Sequence, residues 1–281
     1  MSYNDITIVI TSFKSSSKLI NCLNSIKPGI KVLIIENSDD RELKAKIESE
    51  YKNLECILAG GNLGYAKGNN LGLSKVKTKF ALIINPDAIL DKDAIDNFFI
   101  STKLKSDFAI IAPHIQEEKD INKIDQNIKS LIEVDNVKGF AMFLNLEQFK
   151  DIGFFDDNFF IYFEEIDLCR RLKKNNKKIF LDPNIRIFHE GGSSHNIEVN
   201  HEMELSRNWH WMWSTFYYHK KYDGFIVALI KILPKLSSSI IKIIIYSATS
   251  NKNKKSVYYQ RFSGLINSIL GKKSWYRPKV F

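Results

Sequence analysis

Four short apolar runs, at residues 6–10, 31–35, 54–58 and 80–84, alternate with stretches of helical periodicity, and no other feature so constrains how this chain folds. Apolar runs of five residues bounded by turn residues have the length of strands. After the first run, Leu19, Ile20, Leu23 and Ile26 recur at helical spacing until Pro28-Gly29 ends the pattern. A charged helix is expected over 43–50. Gly60-Gly61-Asn62-Leu63-Gly64 then opens a helix running through Asn69-Asn70-Leu71. Another helix is expected over 94–104. Strands alternating with helices in this way predict right-handed βαβ units and a mostly parallel sheet.

Beyond this, 137–144 reads as a strand, 163–174 as a helix, and 179–181 and 185–188 as short strands. The polar stretch 116–135 reads as a long loop or hairpin, either over a site or merely solvated. Residues 225–246 are rich in Ile and Leu, but Lys231, Pro234, Lys235 and Lys242 argue against a membrane-spanning helix. Two amphipathic helices joined near Pro234 are expected instead. They would lie on an anionic membrane, or pack on the rest of the chain or on a second subunit.

Charge and cysteine content narrow the function classes. The net charge of +9 is concentrated at the C-terminus, where Asp223 is the only acid from Lys220 onward. Such a tail suits an anionic membrane or nucleic acid, and no nucleic-acid motif is present. Cys22, Cys56 and Cys169 are odd in number and widely spaced, which predicts neither a disulfide framework nor a zinc site. With no recognisable leader, the expected place is the cytoplasm, peripheral on the inner face of the membrane. The first strand is followed by Thr11-Ser12-Phe13-Lys14 rather than GxGxxG, and no GxxxxGK[ST] occurs. Dinucleotide-type and P-loop sites are therefore disfavoured.

Several segments place reactive groups where an open α/β sheet binds ligands. Asn85-Pro86-Asp87 sets a carboxylate in the turn after the fourth run, suited to a hard cation. His189, in His189-Glu190-Gly191-Gly192-Ser193, offers an imidazole as a second ligand. Glu36-Asn37-Ser38 offers a carboxylate to a nucleotide base, or caps the next helix. The 60–70 segment offers backbone N–H groups to phosphate, or is a plain turn. In Glu164-Glu165-Ile166-Asp167, Asp167 can pair with Arg170 and Arg171, which leaves Glu164 or Glu165 to act as a base. Trp209, Trp211, Trp213, Tyr217 and Tyr218 have the helical spacing of a core or an interface, and less often of a sugar platform.

Together these motifs resemble the glycosyltransferase family 2 enzymes, in their rhamnosyltransferase-like branch. The match runs from Thr7-Ile8-Val9-Ile10-Thr11-Ser12-Phe13 through Asn62-Leu63-Gly64-Tyr65-Ala66-Lys67-Gly68-Asn69-Asn70 and Asn85-Pro86-Asp87. It continues through Gly153-Phe154-Phe155-Asp156 and the 160–171 segment to the His189 motif, covering roughly residues 5 to 224. The resemblance implies a GT-A fold with a mostly parallel sheet and a C-terminal helical extension. It implies a catalytic domain over 1–224, with a nucleotide-binding part to about 112 and an acceptor-side part from about 113, and a basic extension over 225–281.

The resemblance further implies an inverting transfer from a dTDP- or UDP-linked sugar to a surface-glycan hydroxyl, the acceptor being lipid-linked. Manganese or magnesium would sit on Asp87 and His189, with Glu165 as the base. Thr11, Ser12, Glu36, Asn62, Gly64, Asn70 and Asn85 would contact the nucleotide sugar. Glu165 and Glu36 both stand where Asp is usual. A homodimer is compatible with this reading and a nucleic-acid partner is not expected. Two rival classes are a sugar nucleotidyltransferase, which would want a basic Gly-rich loop after the first strand, and a membrane-associated scaffold with an inactive site.

Overall fold

The computed structural model describes residues 2–113, 130–189 and 200–279. The chain divides into a sheet unit, Met1–Phe155 with Glu165–Asn196, and a helical unit, Asp156–Glu164 with Ile197–Phe281. The sheet unit contains β1 (Ile6–Ser12), β2 (Lys31–Glu36), β3 (Leu54–Leu58), β4 (Phe80–Ile84), β5 (Ala88–Leu90), β6 (Phe108–Pro113), β7 (Ile132–Glu133), β8 (Ala141–Asn145), β9 (Lys178–Asp182) and β10 (Ile187–His189). Eight of these form one sheet in the order β3-β2-β1-β4-β8-β6-β9-β7, and β5 pairs with β10 separately.

The β3-β2-β1-β4 part is wholly parallel, whereas β8 runs antiparallel to both its neighbours. Buried on both faces, β4 is wholly apolar, as covered parallel strands tend to be, and β1 is buried along most of its length although Thr7, Thr11 and Ser12 interrupt its apolar run. Helices α1 (Ser16–Asn24), α2 (Arg41–Glu50), α3 (Gly64–Leu73) and α4 (Ala94–Leu104) form the crossovers. Phe143 anchors the core, its ring stacked 4.8 Å from Phe98 and 5.2 Å from Phe80. The three cysteines are buried and form no disulfide.

α5 (Glu164–Lys174) begins abruptly, because Tyr162 and Phe163 both adopt left-handed backbone, φ 71° and 69°. Two consecutive aromatic residues in that region store strain, a device that tends to accompany functional positions.

The helical unit contains α6 (Asn200–Asp223), α7 (Phe225–Ala248) and α8 (Lys252–Ile269). Met212 and Phe216 of α6, Ala228 and Ile232 of α7, and Leu265 of α8 make its core. Gly264 permits the close approach of α8 to α6, since a Cβ there would collide with the Trp209 carbonyl.

Two expectations are corrected. The helix break at Pro234 is absent, and α7 runs through it as one helix of 24 residues. Ala228 and Ile232 before the proline and Ser239 after it are all buried, so packing holds both halves in line despite the lost N–H. The expected strand at 137–144 starts only at Ala141, and β6 was not anticipated. The helical unit includes α6, which shares its core with α7 and α8. Most of the polar stretch 116–135 lies outside the described residues, as do 190–193 of the histidine motif.

Candidate functional site

Parallel pairing lines up the carboxyl ends of β1, β2 and β4. Ser12 lies opposite Glu36 and Ile10 opposite Ile84, so Thr11, Glu36 and Asn85 reach one edge of the sheet. The turn after β4 is fixed by backbone bonds: Asn85 N–H donates to Phe140 O at 2.9 Å, and Ala88 N–H to Asn85 O at 3.1 Å. This turn buries Asp87, leaving it 3% exposed.

The β5–β10 ribbon then brings in the histidine. Its antiparallel register sets His189 opposite Ala88, next in sequence to Asp87. The imidazole Nε2 lies 3.3 Å from Asp87 Oδ1 and 3.3 Å from Asn85 Nδ2. Phe140 stacks on the ring at 4.5 Å and fixes its plane. Neither oxygen of Asp87 accepts a hydrogen bond, and Nδ1 of His189 has no partner either. A buried carboxylate without donors is costly unless a cation sits against it. One carboxylate and one imidazole therefore fit a divalent ion that takes its remaining ligands from elsewhere. Among the described residues, no group of three or more His, Cys, Asp or Glu is arranged to hold a metal alone.

Glu165 approaches the same neighbourhood through a dipeptide. A Cβ on Gly139 would lie 3.5 Å from Cβ of Glu165, and the next residue, Phe140, is the one stacked on His189. Tyr65 of α3 pins this dipeptide by donating its hydroxyl to Gly139 O. Burial pushes the Glu165 carboxyl above its ordinary value, and its Oε2 has no hydrogen-bond partner. Of the two adjacent acids, Glu165 is the one that belongs to the sheet unit. Asp167 is committed as expected, accepting from Arg171 Nε at 2.8 Å. Arg171 also holds the 152–154 turn through the carbonyls of Ile152 and Phe154.

The other expected contacts divide in two. Thr11 Oγ1 and Asn37 Oδ1 are buried without partners, and the absent side chain of Gly68 makes room for Thr11, whose Cγ2 would lie 2.5 Å from a Cβ there. Asn37 Nδ2 donates to Gly64 O at 3.3 Å, tying the end of β2 to the start of α3. Asn62 Oδ1 accepts from Gly64 N–H at 3.1 Å, and Gly64 takes φ 80°, so both shape the helix entry. Glu36 is nearly fully buried, and burial raises its carboxyl. Its Oε2 accepts from the N–H groups of Ser38 and Asp40, so this acid organises the turn before α2, whose own cap is Asp40. Two residues are engaged elsewhere. Ser12 Oγ bonds Ser15 Oγ at 2.9 Å, and both ends of the Asn70 amide grip the main chain of Phe155.

Gly139 and Phe140 were given no role from the sequence, and Tyr65 entered only as part of the 62–70 motif. Gly139 did carry a signal, a lone glycine within an expected strand, which marks close approach of other groups. The expected aromatic cluster is mainly core: Trp209 and Trp213 are buried, while Trp211 is 44% exposed beside Tyr162 and Phe163.

A sequence model of the glycosyl transferase family 2 matches residues 7–169. The chain is 26% identical to the low-salt glycan biosynthesis hexosyltransferase Agl10 of Haloferax volcanii, over 63% of this chain and 64% of that protein. It thus spans just under two thirds of that relative's length. It is 27% identical to the rhamnosyltransferase WbbL of Escherichia coli K12, over 61% of this chain and 77% of that protein. Among solved structures it resembles the mannosyltransferase PcManGT of Pyrobaculum calidifontis, determined with GDP-Man and Mn2+. The TM-score is 0.59 at 10% identity, over 96% of this chain and 88% of the other. That likeness is one of fold, the GT-A fold.

Proposed function

The chain belongs to glycosyltransferase family 2, and from that premise we propose that it transfers a sugar from a nucleotide-diphosphate donor to a hydroxyl of a growing glycan, with inversion at the anomeric carbon. The observation that carries this reading is Asp87, a buried carboxylate with no hydrogen-bond donor and with His189 Nε2 3.3 Å away. Asp87 and His189 would hold manganese or magnesium. When bound, such an ion supplies positive charge against the departing diphosphate.

The chain's own groups do the rest. The acceptor oxygen attacks the anomeric carbon from the face opposite the diphosphate. As that C–O bond forms and the bond to the diphosphate breaks, Glu165 takes the hydroxyl proton. Its raised carboxyl makes it a stronger base than an exposed glutamate. Phe140 stacks on the imidazole and keeps its plane, so this ring need not reorient during transfer. Thr11, Asn37 and the Asn62–Gly64 entry to α3 would contact the nucleotide, and Glu36 would hold the turn beside it.

Rhamnose from a dTDP donor is favoured by the likeness to a rhamnosyltransferase, with UDP-linked sugars as the comparison set. The acceptor would be a lipid-linked saccharide of a surface glycan. A panel of dTDP- and UDP-sugars with and without manganese tests the reading. One donor should raise the melting temperature only with metal, by mass action, and release nucleoside diphosphate when an acceptor is added. If no nucleotide-diphosphate sugar stabilises the protein with or without manganese, the assignment fails.

A further inference from the structure

α7 presents an apolar face that is exposed among the described residues. Ile226, Ile230, Leu233, Ile240, Ile241 and Ile244 are all exposed, with Ile226, Ile230 and Ile244 above 60%. At 100° per residue these positions, with Val227 and Ile245, fall within one arc less than half the helix circumference wide. The opposite face, carrying Ala228, Ile232 and Ser239, is the buried one. The exposed arc contains no charged residue and runs for most of a helix about 36 Å long. Among the described residues, no helix is long and apolar enough to cross a membrane.

Charge decides what covers this face. From residue 224 to the end the sequence has eleven lysines and arginines and no acid. Lys231 and Lys242 border the arc and are tied back, Lys231 to Asp223 at 2.7 Å and Lys242 to Tyr258 at 2.8 Å. Lys252, Lys254 and Lys255 are exposed just past the end of α7. A second copy of this chain would bring the same cations against these, with repulsion on both sides of the seam. Ser237 would also interrupt such a seam at its centre. An anionic bilayer meets both demands at once, because acyl chains accept the isoleucines and headgroups accept the lysines.

We propose that α7 is a membrane-surface helix, its outer arc lying flat in the interfacial layer of an anionic bilayer with the lysines at headgroup level. This rests on the helical unit alone and is independent of the chemistry proposed for the sheet unit.

The test is co-sedimentation of the full chain with vesicles of phosphatidylglycerol and phosphatidylcholine in equal parts, and with vesicles of phosphatidylcholine alone. Binding to the anionic vesicles should be at least about tenfold stronger and should weaken with salt. The double variant Ile230→Asp/Ile241→Asp should lose at least about tenfold in anionic-vesicle binding, while circular dichroism and donor turnover in vesicle-free buffer stay as in the wild type. Should that variant misfold, Lys252→Glu/Lys254→Glu/Lys255→Glu provides a second arm and should also bind at least about tenfold more weakly. Equal binding to both vesicle types, or full binding by a folded isoleucine variant, overturns the proposal. So does absence of vesicle binding alongside a dimer in sedimentation equilibrium that the isoleucine variant dissociates.

Discussion

His189 and His210 each stack on a phenylalanine, at 4.5 Å on Phe140 and 4.3 Å on Phe160, yet they serve opposite ends. In the helical unit, His210 is sealed in. Its Nε2 donates to the Tyr276 carbonyl at 2.9 Å, and its Nδ1 therefore accepts from the Ser274 hydroxyl at 2.9 Å. Burial pushes its pKa down to about 3, so it stays a neutral structural clasp for the C-terminal segment. In the sheet unit, His189 has an unpartnered Nδ1 and turns Nε2 towards a carboxylate that itself lacks donors. The indoles of Trp209 and Trp213 follow the His210 pattern, donating to Ser263 Oγ and Lys272 O. Thr11, Asn37 and Asn69 follow the His189 pattern, with buried oxygens left over. The histidine and indoles of the one unit bond back to its own chain, whereas these groups of the other leave buried polar atoms without a partner.

The sharpest way to break that contrast is at Glu165. Glu165→Ala should lower turnover by about 10³-fold, the middle of the range for a positioned general base, while donor binding holds. Because burial raises its pKa, the carboxylate stays protonated to a higher pH than usual. The acid limb of kcat/KM should therefore fall above the ordinary glutamate value and vanish in the variant. Turnover within tenfold of wild type would remove Glu165 from the base role.

A smaller effect is expected at Asp87. Asp87→Asn keeps the shape and removes the buried charge, so unfolding free energy should rise by about 1 kcal/mol while metal-dependent donor affinity drops. If denaturant unfolding shows lower stability, the carboxylate is structural and the contrast collapses.

The last effect, on stability alone, concerns His210. Its folded pKa lies below its ordinary 6.5, so the unfolded chain binds the extra proton and stability is lost as pH falls from about 6.5 towards about 3. Between pH 7 and pH 5 the wild type should lose about 2 kcal/mol more than His210→Phe, read by urea denaturation. Equal losses would mean that His210 is protonated in the fold.

The parallel half of the sheet was legible because each strand is a short apolar run closed by turn residues, and α4 was read to its ends. β6 escaped although it is apolar, since Phe108–Pro113 runs into the polar stretch 116–135 and no helical period follows it to complete a strand–helix unit. β5, three residues long, has no periodicity to read; β10 overlaps the strand expected at 185–188, but its pairing with β5 joins positions about a hundred residues apart. Asp87, His189 and Glu165 could be named from local motifs, but the Gly139-Phe140 link between them could not. That link depends on register and stacking, which no short window encodes. Pro234 misled for the converse reason: a strong local breaker was overruled by packing on both sides of it.

The two-stranded ribbon has a consequence for chain length. Upstream of His189 the strand is tethered, with Asp91 N–H donating to Arg186 O and Asn97 Nδ2 to Asn184 O. An inserted or deleted residue between these tethers and His189 could not be absorbed by sliding. It would turn the imidazole to the far side of the ribbon and leave Asp87 facing a different side chain. Natural or designed variation in length should therefore be rejected between Arg186 and His189.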